Sequence, residues 1–140
     1  MSINEKQDEI IEEFESFDDW MDRYQLIIDY ANELKKIPMP AEDKIDRNKI
    51  DGCQSTVWFT ARMEDGKIIF NGDSDALLVK GIVALLLTVL SGHTPEEILK
   101  ADLYFIDRIG LREHLSPTRS NGVAAMLKQM KLYAMAYQAK

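Results

Sequence analysis

Val57-Trp58-Phe59-Thr60-Ala61-Arg62-Met63-Glu64-Asp65-Gly66-Lys67-Ile68-Ile69-Phe70-Asn71 is the stretch from which the fold is read. Val57, Phe59, Ala61 and Met63 fall on one side of an extended chain, with Thr56, Trp58, Thr60 and Arg62 on the other. That is the period of two expected of a strand with one buried face. Asp65-Gly66 is a strong hairpin-turn signal, so residues 67–71 read as the returning strand. A two-stranded hairpin is marginal in water. Either a third strand or packed helices must support it, and residues 48–50 are the candidate third strand.

Helical signals surround this hairpin. Asn4, with Gln7 three residues on, can open a first helix that buries Ile10, Ile11 and Phe14. Asp18 or Asp19 caps a longer one, whose apolar stripe is Met21, Tyr24, Ile28, Ala31 and Leu34. Pro38 and Pro40 stop it, and residues 41–49 are polar and aperiodic, so they read as a loop. After the hairpin, Gly72-Asp73-Ser74-Asp75 offers caps for a helix over residues 76–90, apolar on nearly every face except Lys80 and Thr88. This should be the central helix, and Gly92 ends it. Thr94-Pro95-Glu96-Glu97 combines an N-cap, a proline at the first helical position and a glutamate at the third. Residues 102–115 suggest two short turns. Ser116-Pro117 opens a last helix with the stripe Val123, Met126, Leu127, Met130, Tyr133 and Tyr137. The fold class is therefore α+β, a small antiparallel sheet of about three strands packed with several helices. With no repeat or linker, residues 1–140 read as one domain.

Composition narrows the function. Seventeen basic against 24 acidic residues leave a net charge of −7, which disfavours nucleic acid and anionic lipid as partners. The excess begins early, in Glu9, Glu12, Glu13, Glu15, Asp18 and Asp19. An apolar fraction of 46% is ordinary for a globular protein. The longest apolar run carries Lys80 and Thr88 and is short for a membrane span. The polar opening Met1-Ser2-Ile3-Asn4-Glu5 leads us to expect no secretory signal, and an unpaired thiol fits a reducing cytoplasm.

That thiol is Cys53, the one cysteine, in Gly52-Cys53-Gln54-Ser55. Polar neighbours set it apart from cysteines that pack as small hydrophobes. Gly52 permits unusual backbone geometry and close approach of a partner, while Gln54 and Ser55 offer hydrogen bonds near the sulfur. The two readings are a reactive thiol and a structural one. One cysteine allows no internal disulfide and no zinc site built on paired thiolates, so no metal is expected. A hydrolytic centre needs an oriented histidine. His93 and His114 lie in no recognisable pattern and read as surface or capping residues. Arg119 falls in the first turn of the last helix, where the dipole disfavours a cation. It either pairs with Asp73, Asp75 or a partner, or holds an anionic group. Gly122 in the same turns implies tight packing.

Three stretches together resemble the SufE/CsdE family of sulfur acceptors: Gly52-Cys53-Gln54-Ser55 into Val57-Trp58; Gly72-Asp73-Ser74-Asp75-Ala76 followed by Val79-Lys80-Gly81; and residues 115–122, Leu-Ser-Pro-Thr-Arg-Ser-Asn-Gly. The resemblance implies a fold similar to the iron–sulfur scaffold IscU, with Cys53 as persulfide acceptor. The implied donor is a pyridoxal-phosphate (PLP) cysteine desulfurase of the SufS or CsdA type, whose turnover the chain stimulates. The implied recipient is a SufBCD-type assembly complex. The PLP would belong to the partner, with no cofactor on this chain, which is not itself an enzyme. Gly52, Gln54, Ser55, Asp75 and Arg119 are the implied supporting or docking residues. An apolar shelter for the thiol, lined by Ile50, Val57 and Trp58, is also implied. The alternative is a non-covalent regulatory or binding module with a structural cysteine.

Overall fold

A computed structural model describes the backbone of residues 1–50, 55–114 and 117–139, with the side chains of these except 112, 114 and 117–120. Its elements are α1 (Ile3–Glu15), α2 (Trp20–Leu34), β1 (Val57–Glu64), β2 (Lys67–Ser74), α3 (Leu77–Leu90), α4 (Pro95–Lys100), α5 (Phe105–Arg108), α6 (Leu111–His114) and α7 (Pro117–Gln138). Small antiparallel sheet plus packed helices is the α+β class expected.

β1 and β2 pair antiparallel from Val57↔Ser74 to Glu64↔Lys67. Asp65 and Gly66 both adopt positive φ, 52° and 79°, as the turn requires. The returning strand runs three residues past the expected Asn71, to Ser74, because Gly72 and Asp73 still pair with Phe59 and Trp58. Among the described residues the third strand shrinks to a single bridge, Lys49↔Trp58, with the Ile50 N–H donating to the Val57 carbonyl at 2.9 Å.

The remaining edges are closed by other means. Tyr133 and Tyr137 of α7 donate their hydroxyls to the Phe59 and Ala61 carbonyls at 3.3 and 2.9 Å. On the outer edge of β2, Ile68 N–H donates to the His93 carbonyl, Gly92 N–H to the Ile68 carbonyl and Phe70 N–H to the Ser91 hydroxyl. Covering both edges answers the instability of a lone hairpin and leaves little template for unwanted strand pairing.

The inner hairpin face packs on α3, which is buried along most of its length. Glycines allow the closest approaches. A Cβ on Gly81 would lie 2.3 Å from the Ile27 carbonyl oxygen of α2, and one on Gly72 would lie 2.7 Å from the Val83 side chain. Phe14, Ile27, Phe59, Leu85, Phe105 and Ile106 complete a core drawn from both chain halves.

Several local expectations are corrected. Ser2, not Asn4, caps α1, in a capping box with Glu5. Asp19 caps α2, but Met21 is 73% exposed and the buried residues are Ile27, Ala31 and Leu34. The helical rotation thus centres the stripe one residue from where Ile28 would put it. Residues 41–49 hold two 3-10 turns, Ala41–Asp43 and Asp46–Asn48. Neither Asp73 nor Asp75 caps α3. Its N-cap is Ala76, whose N–H donates to the Ser74 hydroxyl. Thr94 and Glu97 form the expected capping box on α4.

Candidate functional site: the stem around the cysteine segment

Cys53, Gly52 and Gln54 lie outside the described residues; what the structure defines is the stem on either side. On the entering side stands the Lys49–Ile50 bridge to Trp58 and Val57. On the leaving side, Ser55 is half-buried and Thr56 is clasped by three hydrogen bonds. Thr56 N–H donates to the Asp75 carboxylate at 3.1 Å, and its carbonyl accepts the Ser74 hydroxyl at 2.8 Å and the Asp75 N–H at 3.3 Å. Asp75 is exposed and serves this clasp. The N-terminal turn of α7 contains Arg119, whose side chain, and any pair it makes with Asp73 or Asp75, lies outside the described residues. Gly122 is buried, in keeping with the close packing expected of it.

Successive strand residues face opposite ways, so Val57 and Trp58 point to different faces of the hairpin, and the shelter expected for the Cys53 thiol lies outside the described residues. Val57 enters the core beside Ile50, whereas Trp58 joins Asp73 on the outer hairpin face. Asp73 is 5% exposed. Its two oxygens take Lys44 at 2.8 Å and Lys80 of α3 at 2.9 Å, and the Ser74 N–H at 2.8 Å. Burial pushes the Asp73 carboxyl up, but the lysines and the amide outweigh it and hold the group below the usual carboxylate range. The Lys44 ammonium also lies 5.6 Å from the centre of the Trp58 ring, within cation–π range. The Trp58 indole N–H is buried and finds no hydrogen-bond partner among the described residues. Sequence reading missed this cluster, because Gly-Asp-Ser-Asp before an apolar run looks like a helix cap and nothing marks Lys44 as its partner.

His93 is not a surface residue. Its side chain is 13% exposed, with Nδ1 3.8 Å from Glu97. Burial lowers its pKa, and Glu97 opposes this only in part. Among the described residues no group of three or more His, Cys, Asp or Glu side chains is placed to hold a metal, and no helix is long and apolar enough to cross a membrane.

A family model described as SufE, Fe-S metabolism associated domain, matches residues 8–134. This chain belongs to the SufE family. SufE-like relatives include an uncharacterized protein of Synechocystis, 45% identical over 129 residues, covering 92% of this chain and 80% of that one. Another, from Rhizobium meliloti, is 40% identical over 129 residues, covering 89% and 91%. A solution structure of a hypothetical protein from Thermus thermophilus superposes with a TM-score of 0.77 at 26% identity, covering 96% and 97%. SufE membership supports a role in sulfur transfer and iron–sulfur metabolism, and implies interaction with a cysteine desulfurase.

Proposed function

We propose that this SufE-family chain is a sulfur carrier, with Cys53 accepting persulfide sulfur from a PLP-dependent cysteine desulfurase of the SufS or CsdA type. The single observation that carries the reading is family membership over residues 8–134 in a chain with one cysteine. The Cys53 thiolate attacks the terminal sulfur of the partner's persulfide. The partner's S–S bond breaks, its thiolate leaves, and a new S–S bond forms on Cys53. Sulfur changes hands with no net oxidation, so no histidine-based machinery is needed. The Cys53 persulfide then passes sulfur to a SufBCD-type assembly complex in the cytoplasm.

The structure supports this reading through the stem. Cys53 is two peptide units from Ser55, and the clasp at Thr56 and the bridge at Ile50 fix both points from which its segment departs. Gly52 gives the backbone freedom beside the thiol, and Gln54 and Ser55 supply hydrogen-bond partners. Asp75 positions the segment through Thr56, and Arg119 is read as a docking residue. One hydrophobic cluster draws on α1, α2, both strands, α3 and α7, which supports residues 1–140 as a single domain.

The test is alanine release from L-cysteine by a desulfurase, with and without this protein. Wild type should raise turnover and Cys53→Ser should not. Equal stimulation by the two would instead make the chain a regulatory module with a structural cysteine.

A further inference from the structure

We infer that Lys44 is a positioning residue for Cys53, tethering the segment that leads into the thiol to the outer hairpin face. The inference rests on the carrier reading above. Its basis is a surplus of charge at Asp73. Lys80 and the Ser74 amide already neutralise and hydrogen-bond that carboxylate from within the folded body. Lys44 comes from a different place, the irregular stretch between the two 3-10 turns that precede Ile50. It reaches the second Asp73 oxygen at 2.8 Å and the face of Trp58 at 5.6 Å.

The two other cations of that stretch do different work. Lys49 pairs with Asp46 inside the same stretch at 3.0 Å, and Arg47 is the middle residue of the second 3-10 turn. Lys44 and Lys49 therefore converge on Trp58 by different routes, one through its ring and one through its backbone. Trp58 is also the strand partner of Asp73. The stem that presents Cys53 is thus held at one residue from its edge and its face. Lys44 remains 36% exposed, so this tether is screened by solvent and light enough for a docking partner to release.

Lys44→Met keeps the aliphatic stem over Trp58 and removes the charge; Lys44→Arg keeps the charge. Hydrogen exchange of the Ile50 amide, bonded to Val57, reads the stem. The Ile68 amide, bonded to His93, is the internal control for intact folding. In Lys44→Met the Ile50 amide should exchange about tenfold faster with Ile68 unchanged. Sulfur uptake at saturating desulfurase should fall about tenfold, as small misplacements of reacting groups do, with the half-saturating concentration nearly constant. Lys44→Arg should recover both.

Unchanged Ile50 exchange overturns the inference. So does a loss expressed in half-saturation rather than maximal rate, which would make Lys44 a partner contact. If wild type takes up sulfur normally and Lys44→Met does too, only the inference fails. If wild type takes up none, the carrier reading fails and the inference with it.

Discussion

The two faces of the β1–β2 hairpin are held by opposite kinds of chemistry. Inside, Val57, Phe59, Phe70 and Gly72 are buried, and a Cβ added at Gly72 would collide with the Val83 side chain of α3. Outside, at the end nearest Cys53, Trp58 and Asp73 are organised by two lysines and by backbone hydrogen bonds. Packing of the first kind has one good arrangement and resists local opening. The Lys80 pair is largely buried, but the Lys44 pair reaches solvent, so it is weaker, depends on salt, and can be exchanged for contacts with a partner. The hairpin is a rigid body on one side and an adjustable mount on the other.

The inner face should respond most strongly. Phe59 is fully buried and opposite Gly72, so Phe59→Ala should lower unfolding stability by about 3–5 kcal/mol in a denaturant titration. A loss below about 1 kcal/mol would mean that this face is not the packed interface described.

Asp73→Asn comes next, at about 2 kcal/mol, below the range for fully buried pairs because Lys44 is partly solvated. Its pH signature is distinctive. The folded-state pKa of Asp73 is depressed, so its contribution is present above the unfolded value near 3.8 and is lost as pH falls through the folded value. The stability gap between wild type and Asp73→Asn should therefore be full at neutral pH and close in acid. A gap that widens on acidification would contradict the assignment of the ion pairs.

Tyr137→Phe should have the smallest effect, about 1 kcal/mol, from losing the hydroxyl that closes the β1 edge at Ala61. Aggregation on warming compared with wild type would sharpen the reading of that hydroxyl as edge protection.

The same contrast explains what the sequence made legible. Alternation across residues 57–63, the Asp65-Gly66 turn and the Thr94–Glu97 box are local signals, and each produced the element expected. The outer face depends on long-range partners. Asp73 has the look of a cap, yet its role follows from Lys44, 29 positions away, and from the continuation of β2 through Ser74.

Gln7 shows the same difficulty. It lies on the buried side of α1 with Ile3, Ile10, Ile11 and Phe14, fully buried. There it donates to the Asp102 carbonyl and accepts from the Phe105 N–H, across nearly a hundred residues. A polar residue on an apolar stripe was the available signal, since a buried amide must find partners. The aromatic bodies of Tyr133 and Tyr137 were readable as core, but the carbonyls their hydroxyls reach were not. Of the candidate site, Ser55 and Asp75 fall on the described stem, while Cys53, Gly52 and Gln54 were legible only as a motif.

Intact-mass spectrometry after incubation with a cysteine desulfurase and L-cysteine bears most directly on the role of Cys53. Wild type should gain the mass of one sulfur atom, removable by a thiol reductant, and Cys53→Ser should gain none. Equal gain by both proteins, or none by either while the desulfurase turns over, would contradict the assignment of Cys53 as the sulfur acceptor.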